Sequence, residues 1–384
     1  MNIKSLLLGS AAALIVVSGA RAADAVTVAE PEPAEYVKIC DVYGAGYFYI
    51  PGTQTCLRIG GYVREIIGFG DVGSFDGART HDVVTGIDQA TWMKNSRFSL
   101  RTWTGQETEL GTLKTYTETR INFGNHNGDY SNNSAGNKGL TLNFAWIQLG
   151  GFRVGKGDSA FDTFIGYAGN VYNDTIVPYG SLDTNALQYY FDAGDGFSTV
   201  VSLEEGSGAV GTIDSYVPHV IGGLKYTQGW GALTSVIAYD SNYGEVAGKI
   251  RADLTVNDNL SLFGMFGYGT DGKLNDDSTN IIDANGRGFY KNWGGNWAFW
   301  AGGTYKFNEK TSFNLQVSGD QLKNYGVVAN VAYSIVAGYT ITAEVDYDHY
   351  GNFGVSAVDP SNVNWTNANK RNSVGGLLWF QRSF

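Results

Sequence analysis

A strict alternation of apolar and polar residues is the feature that most constrains what this chain can fold into. In the segment 312–320, Phe313, Leu315 and Val317 fall on one face, and polar residues lie between them. The segment 339–350 behaves in the same way. Side chains of a β-strand alternate between two faces, whereas those of a helix repeat every 3.6 residues. The pattern therefore predicts strands, and it recurs through most of the chain.

Sixteen such segments follow one another, and they are joined by two kinds of connector in turn. Short turns such as 150–151 and 337–338 alternate with long polar connectors such as 157–185. This order is typical of an up-and-down transmembrane barrel, and sixteen strands leave an aqueous lumen. We predict an all-β fold, a 16-stranded antiparallel transmembrane β-barrel. The predicted strands are 57–69, 91–104, 110–122, 140–149, 152–156, 186–191, 197–205, 218–227, 231–240, 245–256, 260–269, 297–307, 311–321, 325–336, 339–350 and 372–384.

Aromatic residues favour a membrane barrel over a soluble β-sandwich, which would show the same alternation. Several aromatic side chains lie on the apolar faces near strand ends, where the interfacial girdles of membrane barrels are found. A sandwich core would place bulky rings in the middle of its strands. The residues concerned are Tyr226, Tyr239, Phe266, Tyr268, Trp297, Phe307, Tyr333 and Tyr347.

The amino-terminal residues predict export. Residues 1–4 give a short positive start, 6–17 form an apolar run, and Ala20-Arg21-Ala22 provides a small-residue cleavage site. The run is shorter than the about 20 residues that a spanning helix needs. We predict three parts, a signal peptide (1–22), a lead-in with a disulfide loop (23–56) and the barrel (57–384).

The two cysteines fit an exported protein. Cys40 and Cys56 are the only cysteines in the chain, and they enclose a short loop. In an oxidising compartment such thiols pair. Zinc would need more ligands than two isolated thiols supply. We therefore predict a Cys40–Cys56 disulfide.

Composition argues against several function classes. Charged residues make up 16% of the 384 residues, and the net charge of −11 opposes a nucleic-acid surface. The four histidines are scattered without the spacing of a metal or catalytic motif. We therefore expect no enzyme activity, no metal site and no cofactor. The histidines are His81, His126, His219 and His349.

Three segments carry a resemblance to a known family. Residues 38–64, which contain both cysteines, strongly resemble the opening of alphaproteobacterial (Rhizobiales-type) general outer-membrane porins. Residues 144–156 resemble the strand–turn–strand that precedes the inward-folded loop of trimeric porins. The last segment, 375–384, resembles the C-terminal strand of Gram-negative outer-membrane proteins, and its Phe384 is the expected assembly signal.

This resemblance implies a homotrimeric channel in the outer membrane of a Gram-negative bacterium. The third long loop is expected to fold inward as a constriction loop, and small hydrophilic solutes and ions would cross by passive diffusion. Outer-membrane lipid, lipopolysaccharide and the barrel-assembly machinery are the further partners that it implies.

Charges on the polar faces suggest how the lumen is lined. Basic residues of the first three strands share the polar face, and adjacent strands are about 4.8 Å apart, so they should form a ladder on one wall. Opposite this wall we expect acids from the loop 157–185. The predicted basic residues are Arg58, Arg64, Arg97, Arg101, Lys114 and Arg120, and the predicted loop acids are Asp158, Asp162, Asp174 and Asp183.

Three function classes stay open at this point. A general diffusion porin with weak cation preference is the first. A substrate-selective channel is the second, and it would need a lumenal row of aromatic rings, whereas only Tyr62 and Tyr116 clearly share the basic face. The third is a secreted β-sandwich adhesin.

Overall fold

The computed structural model describes residues 38–71, 75–125, 134–270, 288–351 and 371–384. The predicted signal peptide and the lead-in up to residue 37 lie outside these described residues. Residues Ile39–Phe384 form one compact unit.

Sixteen strands make one closed antiparallel sheet, in which each strand pairs with the next along the chain. The last strand pairs with the first, and this pairing closes the barrel. All sixteen predicted strands are confirmed. They are β1 (Cys56–Gly70), β2 (Asp88–Thr108), β3 (Gly111–Gly124), β4 (Thr141–Leu149), β5 (Phe152–Gly157), β6 (Thr184–Gly194), β7 (Phe197–Gly206), β8 (His219–Gln228), β9 (Gly231–Asp240), β10 (Glu245–Thr255), β11 (Leu260–Gly269), β12 (Trp297–Lys306), β13 (Thr311–Asp320), β14 (Tyr325–Val336), β15 (Tyr339–His349) and β16 (Asn372–Ser383).

The remaining elements are short. Three further strands, Phe48–Tyr49, Gly77–His81 and Gly136–Asn137, extend the sheet beside β1, β2 and β3. A 3₁₀ turn covers Asp41–Tyr43, and two four-residue helices are α1 (Ala160–Thr163) and α2 (Gly208–Gly211). In the described parts of the chain, no helix has the length and apolar character needed to cross a membrane.

Connectors alternate in length as the sequence predicted. Odd-numbered strands lead into the longer connections, and even-numbered strands lead into tight turns. Two tight turns, 109–110 and 195–196, were not among the predicted ones. Two connections at the end of the barrel that carries the long connections are also short, 241–244 and 321–324. The longest described connection is the loop 158–183 between β5 and β6, which we call the inner loop.

The two faces of the sheet have opposite burial, and this distinguishes a membrane barrel from a sandwich. In β15, Val345 on the outer face is 58% exposed, while its neighbours Glu344 and Asp346 on the inner face are 2% and 3% exposed. Apolar residues of a sandwich would be buried between two sheets. Here the apolar face points outward and the polar face inward, as in a barrel that contacts lipid.

The predicted disulfide is confirmed. Cys40 and Cys56 are bonded, and their Cα atoms are 6.0 Å apart. The bond ties the segment before the barrel to the first residue of β1. At the other end of the chain, the backbone of Phe384 exchanges hydrogen bonds with Gly61 of β1.

An outward-facing residue in mid-strand tests this orientation. Leu315 lies in β13 on the apolar face. We expect Leu315→Arg to destabilise the folded state in lipid by about 2–4 kcal/mol, the cost of an arginine at the bilayer midplane. Folding into lipid vesicles across a urea series, followed by gel mobility of unboiled samples, measures this. Leu315→Phe is the control and should leave stability nearly unchanged; equal stability of the arginine variant would contradict the lipid-facing assignment.

Candidate pore constriction

The inner loop lies inside the barrel, because its backbone is bound by side chains on the inner faces of distant strands. Five side chains on four strands, β10, β12, β13 and β14, donate to its carbonyl oxygens. The bonds are Lys249 Nζ to Tyr179 O (2.7 Å), Arg251 Nη1 to Tyr167 O (2.7 Å), Trp300 Nε1 to Val177 O (2.7 Å), Gln316 Nε2 to Asp174 O (2.7 Å) and Asn330 Nδ2 to Asn170 O (3.0 Å). The loop therefore spans the wall formed by β10 to β14.

A buried carboxylate holds the start of the loop. Glu204 of β7 accepts a hydrogen bond from the backbone N–H of Ala160 at 2.8 Å and from the Ser159 hydroxyl at 2.6 Å. Ser159 is also the N-cap of α1, because its hydroxyl accepts from the Phe161 N–H. A carboxylate beside the first turn of a helix is stabilised by the free N–H groups there. Glu204 thus fixes where the loop leaves the wall.

A second carboxylate holds the far side of the loop. Glu344 of β15 accepts from the backbone N–H groups of Tyr172 at 2.7 Å and Asn173 at 2.9 Å. The Asn330 amide of β14 donates to the same carboxylate at 2.9 Å. The Asn173 side chain also donates to Asp76, in the connection after β1. The loop is therefore anchored at both ends of its path across the lumen.

Between the two anchors lies a buried ion pair. Lys249 of β10 donates to Asp162 at 2.6 Å, and both side chains are fully buried. Burial raises the pKa of Asp162 to about 6, although the lysine opposes this shift. Removing one partner of a buried pair leaves the other charge uncompensated, which costs about 3–5 kcal/mol. Asp162 therefore fastens the loop to the wall and does not face the opposite side of the lumen.

The opposite wall carries the predicted arginines. In register across β1, β2 and β3, Arg64 faces Arg97, and Arg101 faces Glu118. Glu118, which is 1% exposed, accepts from Arg120 at 2.6 Å and lies 3.0 Å from Arg101. Like charges on neighbouring strands repel, so an acid among the arginines offsets part of that repulsion. We call these four arginines, Arg64, Arg97, Arg101 and Arg120, the arginine wall.

Aromatic rings support the arginine wall, and there are more of them than the sequence analysis counted. The Arg64 guanidinium lies 4.3 Å from the ring centre of Trp379 and 4.6 Å from that of Tyr62. Trp103 stacks with Tyr116 at 5.3 Å on the same inner face. The earlier count of two rings, Tyr62 and Tyr116, was therefore wrong. Trp103 is two residues after Arg101 on the same strand, so its position on the inner face was predictable from the sequence.

The two other predicted basic residues lie farther towards the turns. Arg58 is two residues after the start of β1, and its guanidinium lies 4.7 Å from the Trp103 ring centre. Lys114 is an exposed residue near the start of β3. Strands rise about 3.4 Å per residue, so Lys114 is roughly 20 Å along its strand from Arg120. The structure therefore groups four of the six basic residues.

The four predicted loop acids also lie in different parts of the lumen. Asp158 accepts from the Tyr167 hydroxyl at 2.6 Å and lies within electrostatic range of Arg120. Burial raises the pKa of Asp158 above its usual range. Asp183 is exposed and forms an ion pair with Lys156 at the base of the loop.

Asp174 lies on the wall side of the inner loop, where the Tyr179 hydroxyl donates to it at 2.6 Å. Burial raises its pKa to about 7, although that hydrogen bond opposes the shift. Among the predicted loop acids, Asp158 is therefore the one placed towards the arginine wall.

The sequence analysis did not predict the anchoring roles of Glu204, Glu344 and Lys249. Each is a charged residue on the inner face of a strand, and the alternation of the sequence is sufficient to predict that position. The sequence does not predict their partners, because the bonded residues are separated by 44 positions for Glu204 and 171 positions for Glu344. Among the residues that the structure describes, no group of three or more His, Cys, Asp or Glu side chains could hold a metal ion.

A closed 16-stranded barrel with an apolar exterior, a polar lumen and a loop bound inside it defines an outer-membrane channel of the porin class. Residues 24–377 match the family described as the Porin subfamily. The chain is 47% identical to the porin Omp2b of Brucella canis and 46% identical to that of Brucella abortus, over the full length of both chains in each case. The chain therefore belongs to the Porin subfamily, and it is a channel of the Gram-negative outer membrane and not an enzyme.

Solved structures show the same fold at low sequence identity. The outer membrane channel DcaP of Acinetobacter baumannii is 15% identical with a TM-score of 0.59, over 88% of this chain and 99% of that one. A variant of the Rhodopseudomonas blastica porin is 14% identical with a TM-score of 0.52, over 85% of this chain and 100% of that one.

Arg97→Ala should widen the lumen and shift selectivity towards cations. Its Nε donates to Asn122 at 2.7 Å, so removal leaves no acid without a partner. A unit charge at 4 Å in water contributes about 1 kcal/mol, less with salt, so we expect the cation-to-anion permeability ratio to rise about twofold. Reversal potentials in a salt gradient measure it. Lys310→Ala removes one positive charge from a tight turn and should change neither the conductance nor the permeability ratio. If both quantities are also unchanged in Arg97→Ala, Arg97 lies outside the ion path.

Asp174 should make selectivity depend on pH. Because its pKa is raised to about 7, the carboxyl loses its charge as the pH falls from 8 to 6. The cation-to-anion permeability ratio should then fall over this interval, by less than the change expected for Arg97→Ala because Asp174 lies on the wall side of the inner loop. Reversal potentials at each pH measure this. Asp174→Asn should flatten the change; an undiminished pH dependence in that variant would assign it to other groups.

Proposed function

We propose that this channel is a general diffusion porin for small hydrophilic solutes and ions, narrowed between the arginine wall and the inner loop. The observation that carries the proposal is the path of the loop, which is bound to β10–β14 over much of its length and meets the region of β1 at Tyr172 and Asn173. The open cross-section is then bounded by arginines on one side and by loop residues such as Asp158 and Tyr172 on the other. Both loop residues lie within electrostatic range of the arginine wall.

Opposite charges across a narrow aqueous passage produce a transverse field. Low-dielectric walls concentrate such a field. Water and polar solutes orient in it and keep their hydrogen bonds, whereas an apolar solute would have to displace oriented water. The field thus favours hydrophilic solutes. The proposed lining groups are Arg64, Arg97, Arg101 and Arg120 opposite Asp158, with Arg58, Lys114, Asp174 and Asp183 contributing at longer range.

We propose weak cation preference for this pore. The chain carries 37 acidic and 26 basic residues. The inner face of β15 carries the acids Glu344, Asp346 and Asp348 beneath the inner loop, whereas Glu118 offsets part of the positive charge of the arginine wall. Positive and negative groups are otherwise interspersed, so the preference should be small.

A homotrimer in contact with outer-membrane lipid and lipopolysaccharide is the proposed assembly, from the resemblance to trimeric porins. Phe384 is proposed as the residue that the barrel-assembly machinery reads. Its side chain is 57% exposed, and its backbone is paired to β1.

Reconstitution of the full-length protein in planar bilayers tests the proposed function. We expect stepwise openings with ohmic conductance and a small positive-ion preference, because the inner face of the barrel is lined by polar residues of both charges. A clear anion preference would contradict the selectivity, and absence of any current from folded, heat-modifiable protein would contradict the channel itself.

A further inference from the structure

A recess opens in the barrel wall at the base of the inner loop, on the side towards the tight turns. Its cavity volume is about 40 Å³, enough for a hydroxyl group or a water molecule, so a larger ligand would lie along its mouth. Its walls are formed by β4, β5, β6 and the start of the loop. The residues that matter for the argument are Phe144, Trp146, Arg153, Lys156, Asp158 and Gln188.

The recess faces the lumen, as the exposure of the intervening residues shows. Ile147 beside Trp146 is 53% exposed, and Phe152 beside Arg153 is 42% exposed, so these neighbours form the outer face. Trp146 and Arg153 therefore point inward. A diffusing solute reaches them from the water of the pore.

Aromatic rings continue from the recess along the inner wall. Trp146 lies 5.7 Å from Tyr116, which stacks with Trp103 at 5.3 Å. Arg58 lies over Trp103 at 4.7 Å and thereby ends the row on β1. The row crosses four adjacent strands in register. It provides a succession of apolar surfaces along the inner wall.

Glycine keeps the recess open. Gly155 is opposite Trp146 in the sheet, and Gly157 follows it at the end of β5. A Cβ atom at Gly157 would lie 3.5 Å from the Phe144 ring, in ordinary contact. A larger side chain at this position would therefore extend into the space in front of Phe144 and Trp146.

Charge in the recess is balanced. Lys156 is paired with Asp183, and Asp158 and Arg153 both line the recess. The Arg153 guanidinium donates to Gln148 at 2.9 and 2.7 Å and lies 4.2 Å from the Trp146 ring centre. Two cations and two acids give no net charge, and the arginine is already hydrogen-bonded. A carboxylate or an ammonium ligand would meet a group of its own sign at this site.

We infer that this recess and its aromatic row form a weak binding subsite for neutral sugars on the turn side of the constriction. A pyranose ring has apolar C–H faces that can stack on Trp146 and Tyr116, and hydroxyl groups that both donate and accept hydrogen bonds. The Gln188 amide, the Asp158 carboxylate and the Lys156 ammonium supply both kinds of partner. This inference rests on the proposed diffusion channel, since the ligand must enter through an open lumen.

Sugar titration of the reconstituted channel tests the inference, with maltotriose as the probe. A bound sugar obstructs ions, so we expect conductance to fall saturably with a half-saturating concentration in the millimolar range, about −4 kcal/mol of binding at 1 mM. Polyethylene glycol of similar size should give only a linear, non-saturating decrease. A maltotriose response as linear as that of polyethylene glycol overturns the subsite, while the current itself still supports the channel. Complete absence of current instead contradicts the proposed function.

Two variants and a control locate the site. Trp146→Ala should raise the half-saturating concentration about tenfold, since aromatic stacking contributes roughly 0.5–1.5 kcal/mol beyond the area that it buries. Gly157→Leu fills the recess and should abolish saturable block while ion conduction persists. Phe152→Ala removes an aromatic ring from the outer face of the same strand and should leave the titration unchanged. If saturable block persists unchanged in both Trp146→Ala and Gly157→Leu, the assignment is wrong. If Trp146→Ala does not form a heat-modifiable barrel, the result for Gly157→Leu is sufficient by itself.

Discussion

Closure of the backbone hydrogen-bond ladder is the constraint on which this structure depends. In the hydrocarbon of a bilayer, an unpaired N–H or C=O group has no water to bond and costs several kcal/mol. The pairing of β16 with β1 removes the two open edges of the sheet, and the Phe384 backbone extends this pairing to Gly61. Once the sheet is closed, its outer face must be apolar. The polar residues are thereby concentrated inside.

That concentration explains how a long loop can be held within the lumen. The inner faces of the strands present carboxylates, amides and cations that need partners, and the loop backbone supplies N–H and C=O groups. Glu204 and Glu344 accept backbone N–H bonds, while Trp300 and Gln316 donate to backbone oxygens. Buried polar groups of the wall and of the loop therefore satisfy one another. The same bonds that stabilise the wall set the position of the proposed constriction.

Period-two alternation was sufficient to predict the strands, because each barrel residue has only two possible environments. The prediction was least accurate at strand ends. β2 extends over Asp88–Thr108, beyond the predicted 91–104, because its start pairs with Gly77–His81 and its end pairs with β3 as far as Gly111. The disulfide and the inner-face arginines were also predictable, since they depend on local spacing and parity. The contacts of the inner loop were not. Asp162 has the composition of a lumenal acid, and only its distance to Lys249, 87 positions away, reveals it as an anchor.

Arginine has two different roles in this barrel, and its neighbours determine which one applies. In the arginine wall, Arg97 is bonded to a neutral amide and keeps its full charge towards the water of the pore. Arg153 has the same side chain on the same inner face, yet it is hydrogen-bonded to Gln148 and stacked between Trp146 and Tyr190. A stacked, bonded guanidinium with acids nearby contributes shape and apolar contact more than a long-range field. The first arrangement acts on every ion that passes, whereas the second acts only on a solute large enough to touch the rings. A single lumen can therefore sort ions by charge at one level and hold a neutral solute at another.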